Sequence, residues 1–287
     1  MSSGRKAQQE LESRILDTCT TGAVLWFLYT YPSFFNPWNL KLWEWCLLAV
    51  LIRMAIIVYD HLVVFLVDSV FRSNLLPTRT TGKPVRYVEL DTKSYIYLGI
   101  NALHEWVFVQ RLCHFIWYSS EVPLDPSEIN PMNTIGALTV IFIVMDIFYA
   151  PCHHILHFPR IYPLIHKHHH RQHFPTRGYL DAGNEHPLEQ VVGISSVWVG
   201  LLAAVYGPTG AHGLALFIFF NFHAALAMLN HSPYDVEFYL VPGLVKYSVA
   251  NHEMHHRKFT VNYAQYCMWY DHLVQTFAPY EGPKKVT

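Results

Sequence analysis

Apolar stretches long enough to cross a bilayer constrain the fold of this 287-residue chain more than any other feature. A membrane-spanning helix needs about 20 mostly apolar residues. Spans are predicted at residues 15–35, 42–71, 95–117 and 134–150. Two further apolar runs, at 188–206 and 211–229, are joined by Gly207-Pro208-Thr209-Gly210. They are predicted to enter the membrane from one side and to return to the same side, as a hairpin or as two spans. Only 14% of the residues are charged, against about a quarter in soluble domains. The sequence therefore predicts an all-α integral membrane protein with about four transmembrane helices.

The positive charges in the connecting segments predict the orientation. Five Lys and Arg residues fall in 72–93, whereas 119–133 and 207–213 hold none. Further Lys and Arg residues lie after the span at 134–150 and after the apolar run at 211–229: Arg160, Lys167, Arg171, Arg177, Lys246, Arg257, Lys258, Lys284 and Lys285. Because Lys and Arg are enriched in cytoplasmic loops, both termini and the basic loops are predicted to be cytosolic. The terminal Lys284-Lys285-Val286-Thr287 matches a dilysine retrieval signal, which predicts the endoplasmic reticulum membrane.

Three short stretches crowded with histidine carry the chemical signal. The chain has 19 His against 20 Lys and Arg together. The boxes are H-x-x-x-H at His153–His157, H-x-x-H-H at 166–170 and H-x-x-H-H at 252–256. Residues three and four apart share a helix face, and imidazole suits Fe, Zn, Cu and Ni. An even number of crossings returns the third box to the cytosolic side, so one metal centre can use all three. A solvated histidine-rich surface would not repeat this spacing.

The number of imidazoles predicts two metals, because the boxes supply more rings than one tetrahedral or octahedral ion can hold. The predicted ligands are His153, His157, His166, His169, His170, His231, His252, His255 and His256. His186 and His223 are further candidates, as ligands or as partners of ligands. Asp271, Glu189 and Asp146 are candidates to orient a ligand ring from behind. His168 is expected to be solvated, and His104 and His114 are expected to be satisfied buried histidines.

Other site types fit the sequence less well. The five cysteines form no C-x-x-C pair, which disfavours a disulfide framework or a zinc ribbon. No basic stripe points to nucleic acid. Two alternatives stay open. A zinc-dependent membrane lipid hydrolase, similar to a ceramidase, would need an open coordination position and a general-base carboxylate. A non-enzymatic metal-binding membrane protein would place its histidines within the spans.

On these motifs the chain resembles the fatty acid hydroxylase/sterol desaturase superfamily of membrane di-iron enzymes. Supporting matches are Leu164-Ile165-His166-Lys167, His231-Ser232-Pro233-Tyr234-Asp235, and Asn262-Tyr263-Ala264 followed by Trp269 and Asp271. The resemblance covers about residues 134–279. It implies four membrane helices, a cytosolic helical cap holding two metals, and a re-entrant hairpin between the second and third boxes. The implied organisation is a membrane-anchoring segment at 1–133, a catalytic region at 134–279 and a tail with the dilysine signal at 280–287.

The resemblance also implies an activity. Family members use O2 at two irons to hydroxylate or desaturate an unactivated C–H bond of a lipid, with electrons from NAD(P)H through cytochrome b5 or its reductase. The chain contains no His-Pro-Gly-Gly sequence, so the electron donor is expected to be a separate protein. Zinc is expected as a substitute metal in purified protein. Pro233 stands where sterol-type members usually have Gly, so fatty acyl, sphingoid, sterol and other isoprenoid lipids all remain compatible with the sequence.

Overall fold

The structure is a computed structural model that describes residues 3–71, 75–76, 88–243 and 245–281, with side chains from residue 7 onward. Nearly all regular structure in these residues is helical. The helices are α1 (Ser3–Thr30), α2 (Pro32–Phe35), α3 (Leu42–Phe71), α4 (Thr92–Tyr118), α5 (Ala137–Leu156), α6 (Tyr179–Ala182), α7 (Pro187–Tyr206), α8 (Gly213–Asn230), α9 (Val249–Lys258) and α10 (Trp269–Leu273). The predicted helical membrane fold is confirmed.

Four helical segments are long and apolar enough to cross a membrane, judged by length and composition. They are α3, the continuous segment Met132–Leu156, which is a π-helical turn followed by α5, and the pair α7 and α8. Thus the predicted spans at 42–71 and 134–150 are found, and both members of the apolar pair also qualify. The helices over 15–35 and 95–117 do not reach this standard. Polar side chains of all kinds explain the difference, since the first half of α1 is polar and α4 carries Asn101, His104 and Gln110 beside its charged residues.

The main core lies between α5 and α7, with α8 packed against them. Ile141, Met145 and Leu201 have no exposed surface. The two helices approach closely at Gly200, where an added Cβ would lie 2.8 Å from the carbonyl oxygen of Ile141. A side chain there would have to displace backbone, so glycine is required by the packing of α7 on α5.

The connections place the histidine-bearing ends of the helices together. The turn at 207–210 lies at the opposite end, because the first residues of α8 bond to the segment before α5: His212 N donates to Asn133 O at 2.9 Å and Gly213 N donates to Pro123 O at 3.0 Å. Consequently the end of α5, the start of α7 and the end of α8 share one end of the bundle. The pair α7 and α8 extends from there to the end where the 119–133 segment lies.

A two-stranded antiparallel hairpin follows α8 and was not part of the all-α prediction. It consists of β1 (Glu237–Val241) and β2 (Val245–Ser248), with Glu237 opposite Ser248 and an irregularity between Tyr239 and Val241. Val249 N, at the start of α9, bonds to Val236 O at 3.1 Å. The hairpin therefore reverses the chain so that α9 returns to the end of α8.

Two parts of the topology prediction lie outside the described residues. These are most of the basic segment at 72–87 and the terminal lysines at 284 and 285.

Candidate metal centre

The first box lies where α5 ends. His153 is in the last turn of this helix and His157 follows it directly at the C-cap. Pro159 comes two residues later. Proline disfavours helical backbone at the residue before it, so a helix is expected to end before this point. The box therefore lies at one end of the helix bundle, with His153 buried and His157 half-buried.

The second and third boxes have different local structures. Residues 252–256 lie on α9, an α-helix as the spacing predicts. His166–Arg171 forms a short 3-10 helix instead. Its position is set by a reversal at 158–165, which is closed by backbone bonds such as Tyr162 N to Phe158 O at 2.8 Å. His166, His169 and His170 are buried in this turn.

The structure brings all nine predicted ligands together, in two clusters. Cluster I is His153, His157, His166, His170 and His255, and cluster II is His169, His231, His252 and His256; within each, one ligand atom per residue lies within 4.8 Å of all the others. The two H-x-x-H-H boxes exchange members. The outer pair His166 and His170 joins cluster I while His169 joins cluster II, and in the third box His252 and His256 join cluster II while His255 joins cluster I.

Ring nitrogens in each cluster face one another at close range. In cluster I the Nε2 atom of His166 is 3.0 Å from that of His153 and 2.8 Å from that of His170. In cluster II the Nε2 atom of His252 is 3.3 Å from that of His231 and 3.1 Å from that of His256. Two nitrogens bound at right angles to one ion would be about 3.0 Å apart if each metal–nitrogen bond were about 2.1 Å. The spacing therefore fits a shared cation in each cluster.

Backbone carbonyls fix which nitrogen of several rings carries the proton. The Nδ1 atom of His153 lies 2.8 Å from Tyr263 O, that of His255 2.7 Å from Val261 O, that of His256 3.1 Å from Gln172 O and that of His231 2.9 Å from Ala227 O. A carbonyl only accepts, so each Nδ1 donates and each neutral ring presents an Nε2 lone pair to its cluster. Lone pairs facing one another repel without a cation between them, and outward Nδ1 bonds of this kind are typical of metal-bound histidine.

Burial keeps these rings neutral. It lowers the pKa of His157, His166 and His231 below its usual range, and it does the same for the other cluster members outside the helices that qualify as spans: His169, His170, His252, His255 and His256. The neighbouring imidazoles add to the effect at His166, because protonated rings repel. Neutral imidazole is the form that binds metal, so the clusters are available to a cation at neutral pH.

Carboxylates stand behind the second box. Oε1 of Glu189, in the first turn of α7, lies 2.6 Å from Nδ1 of His166. Glu189 is thus in contact with a ring of cluster I, as its predicted role of orienting a ligand ring requires. Glu185, which is not among the residues predicted from the sequence, forms a third group with Glu189 and His169 in which one ligand atom from each lies within 4.8 Å of the others. The four-residue separation of Glu185 and Glu189 was the sequence signal that could have identified it.

Asp146 and Asp271 act on the backbone rather than on a ring. Asp271 accepts bonds from Tyr263 N and Ala264 N, both at 2.8 Å. Asp146 accepts from Gln265 N at 2.7 Å and from Cys267 N at 2.8 Å. Together they hold residues 263–267, and this segment supplies the carbonyl that orients His153. Asp271 therefore supports the ligand ring indirectly, through Tyr263.

The remaining histidine candidates lie outside both clusters. His186 caps α7 by accepting from Leu188 N at 3.1 Å, and Nδ1 of His223 lies 2.5 Å from the Tyr266 hydroxyl group. His168 is half-buried rather than solvated as expected, because its Nε2 lies 2.8 Å from Oδ1 of Asn184. Its ring is directed away from the rings of its neighbours His169 and His170.

Comparison with known proteins gives consistent results. The fatty acid hydroxylase family model matches residues 138–276. Methylsterol monooxygenase erg25B of Aspergillus fumigatus is 28% identical over 174 residues, which is 60% of this chain and 56% of that protein. Methylsterol monooxygenase 1 of Rattus norvegicus is 27% identical over 141 residues, or 49% of this chain and 46% of the relative. Fatty acid hydroxylase ahd1 of Mycosarcoma maydis is 34% identical over 125 residues, or 43% of this chain and 29% of the relative.

The matched region is partial but contains the whole candidate site. The chain spans about half the length of the methylsterol monooxygenases it matches. No solved structure matches it significantly. Both histidine clusters fall between residues 138 and 276. Residues 138–276 are thus similar to the fatty acid hydroxylase family, and the relatives of the chain include methylsterol monooxygenases and a fatty acid hydroxylase.

Proposed function

We propose that this protein is a membrane oxygenase that inserts oxygen into, or desaturates, an unactivated C–H bond of a lipid. In the hydroxylation O2 takes two electrons from a redox partner and two from the C–H bond, so one oxygen atom enters the lipid and the other leaves as water. The observation that carries the proposal is the convergence of nine histidines into two adjacent clusters. The names of the relatives, sterol and fatty acid oxygenases, support a lipid substrate.

Cluster I and cluster II would each hold one iron ion. Two irons bound there would supply the activation of O2 for attack on the C–H bond. An all-imidazole set of this size exceeds what a zinc hydrolase site uses, namely three protein ligands with one open position. The donor set therefore favours two redox-active metals over a single hydrolytic zinc. Zinc in purified protein would be a substitute.

The residues of the chain hold and shield this centre. Carbonyl oxygens of Tyr263 and Val261 fix the rings of His153 and His255, which arrive from different segments. Glu189 fixes His166. Cluster II is buried in all four members. A buried site excludes bulk water, and fixed ligands lose little orientation when they bind a metal.

We further propose the cellular setting that the sequence predicted. Residues 1–133 anchor the protein, 134–279 form the catalytic region, and both termini and the metal centre face the cytosol from the endoplasmic reticulum membrane. Electrons come from NAD(P)H through cytochrome b5 or its reductase, bound as a separate protein. A cytosolic centre suits a soluble or peripheral electron donor, which reaches it without crossing the bilayer.

Metal analysis with turnover measurements tests this function. Protein purified without added metal should contain two irons per chain, and lipid oxidation should require both O2 and a reductant. One zinc per chain with lipid cleavage that is independent of O2 would instead establish the hydrolase. Bound metal with no conversion of any lipid would favour a non-enzymatic protein.

Lipid profiling identifies the substrate. Cells with and without the gene product should differ in a lipid that gains one oxygen atom or loses two hydrogen atoms. The structure of that lipid distinguishes hydroxylation from desaturation and gives the carbon attacked.

A further inference from the structure

A second feature of the described residues is an apolar cavity that the histidine clusters do not line. It has a volume of about 510 Å³ and lies between α1, α2, α4 and α7. Its wall is formed largely by aromatic and aliphatic side chains such as Phe27, Phe35, Val107 and Trp198. Pockets for small molecules are typically about 300–1,000 Å³ and mostly apolar, so this cavity has the size and character of a ligand site.

Two polar side chains of α4, His104 and Arg111, also line the cavity. They are seven residues apart, which places them on the same helix face. The Arg111 guanidinium group lies over the Phe34 ring, 5.0 Å from its centroid, and among the described residues it has no ion pair. Nδ1 of His104 is buried and has no hydrogen-bond partner in the part of the chain that the structure describes. His104 is therefore not the satisfied buried histidine that the sequence suggested.

An unpaired guanidinium group in such surroundings needs a partner. Arg111 is half-buried in apolar surroundings, where a charge without a counter-ion is costly. Arginine pairs especially well with carboxylate and phosphate because its planar group donates two parallel hydrogen bonds. The cavity thus combines a long apolar wall with one anion-recognising group.

We propose that this cavity binds a single-chain lipid with an anionic headgroup, held by Arg111, with its hydrocarbon chain along the apolar wall. The volume accommodates one chain: at about 30 Å³ for a group the size of a water molecule, the cavity holds roughly 17 such groups. The headgroup is a carboxylate or a phosphate, which share the charge that Arg111 recognises.

The Arg111 end of the cavity is remote from the clusters, whereas its apolar wall continues to Pro187-Leu188 at the start of α7. α4 begins at the histidine end, where Asp91, its N-cap, pairs at 2.7 Å with Arg171, the residue that follows the second box. With a helical rise of about 1.5 Å per residue, Arg111 lies about 25 Å farther along α4 than Ser94. The headgroup would be held toward the end of the bundle away from both clusters. Binding is therefore expected whether or not the clusters contain metal and whether or not the chain oxidises lipids.

Binding measurements on the purified full-length protein test the proposal. Palmitate should bind, and hexadecanol, which has the same chain without the charge, should bind more weakly. Arg111→Gln should weaken palmitate binding about 10-fold to 100-fold, because hydrogen bonds to charged groups contribute about 1.5–3 kcal/mol. It should leave hexadecanol binding unchanged. Arg160→Gln, an exposed arginine outside the cavity, is the matched control and should bind palmitate as the wild type does.

Two further arms separate the alternatives. Ser195→Trp, which places a large ring in the cavity, should abolish binding of both ligands while the metal content of the protein stays normal. Lysophosphatidate that binds more tightly than palmitate, with the same loss in Arg111→Gln, would support the anionic site and identify phosphate as its headgroup. Equal binding of palmitate and hexadecanol, unaffected by Arg111→Gln, would overturn the anionic assignment. Palmitate binding that survives Ser195→Trp would overturn the cavity as the site.

Discussion

At the scale of single residues, the exchange of ligands between the two H-x-x-H-H boxes ties the clusters together. His169 belongs to cluster II although its box mates His166 and His170 belong to cluster I, and His255 is the reverse case in the third box. Neither cluster can therefore form from one segment alone. A change that displaces either H-x-x-H-H box should therefore reduce metal binding at both clusters. Removal of one ring should reduce metal binding only at the cluster to which that ring belongs.

Substituting single histidines distinguishes metal ligands from neighbouring histidines that do not bind metal. His169→Ala should abolish lipid oxidation, with a loss of more than about 100-fold, since even the outer partners of metal ligands contribute about 10–100-fold. Its iron content should fall by about one ion per chain. His168→Ala is the matched control, because His168 is adjacent in sequence but bonds to Asn184. The measurements are iron by mass spectrometry and turnover. Full turnover in His169→Ala would contradict the site.

Glu189 should matter through the ring of His166. Its Oε1 lies 2.6 Å from Nδ1 of that ring. Glu189→Ala removes the acceptor and should weaken iron binding at cluster I about 10–100-fold. Glu189→Gln keeps an acceptor oxygen without the charge and should fall between the alanine variant and the wild type. Metal titration of the purified variants measures this order. An alanine variant with wild-type affinity would show that Glu189 only fills space.

Sequence patterns selected the nine histidines that converge in the structure, but not their division into two clusters. Eight of the nine rings follow from spacing, because each box repeats three- and four-residue separations that a helical turn places on one side. The ninth, His231, was predicted from its position at the end of the last apolar run. The grouping depends on how a 3-10 turn and an α-helix face each other, and on a segment at 263–267 held by Asp146 from a helix more than a hundred residues earlier. Such long-range contacts leave no local pattern.

At the scale of helices, the packing of α5 against α7 carries the alignment of the centre. α5 brings His153 and His157, and α7 brings Glu189, so their relative position fixes a ligand and its partner. The closest approach is at Gly200. Changes there should reach the metal centre although Gly200 lies several turns away from it.

Two glycines on α7 offer a matched pair for this idea. Gly200→Ala places a Cβ 2.8 Å from the carbonyl oxygen of Ile141, which should destabilise the protein by about 1–3 kcal/mol and reduce bound iron. Gly193→Ala has no atom within 4 Å of the new Cβ and should be neutral or stabilising by about 0.5–1 kcal/mol, because alanine favours helix. Thermal unfolding in detergent and iron content measure both variants. Equal stability of the two variants would show that the helices adjust freely.

At the scale of the whole molecule, a predicted span qualifies as a membrane helix only where the helix is apolar along most of its length. α3 and the segment ending at Leu156 were predicted from their apolar runs. α1 and α4 are long helices over predicted spans, yet some of their charged residues pair with each other, as Asp17 of α1 does with Lys93 of α4 at 2.9 Å. Apolar content alone does not distinguish a lipid-facing helix from one that lies against other helices, because both need apolar side chains.

The arrangement of α7 and α8 makes a prediction about sidedness. The turn at 207–210 packs beside the segment before α5, with Thr209 near Gly136, and the clusters lie at the other end. We therefore expect the exposed residues Pro208 and Ser127 to face one side of the membrane and Thr260, after α9, to face the other. A hairpin that enters and leaves the bilayer from the cytosol would put Pro208 within the membrane instead.

Cysteine labelling in sealed microsomes can measure this. In a background lacking the native cysteines, single variants Pro208→Cys, Ser127→Cys and Thr260→Cys are treated with an impermeant maleimide. Thr260→Cys should react in intact vesicles, because the positive loops predict that the clusters face the cytosol. Ser127→Cys and Pro208→Cys should react only after the membrane is permeabilised. Labelling of Pro208→Cys in neither condition would mean that the turn stops inside the bilayer. Labelling of Ser127→Cys in intact vesicles would reverse the orientation and place the metal centre in the lumen, out of reach of a cytosolic electron donor.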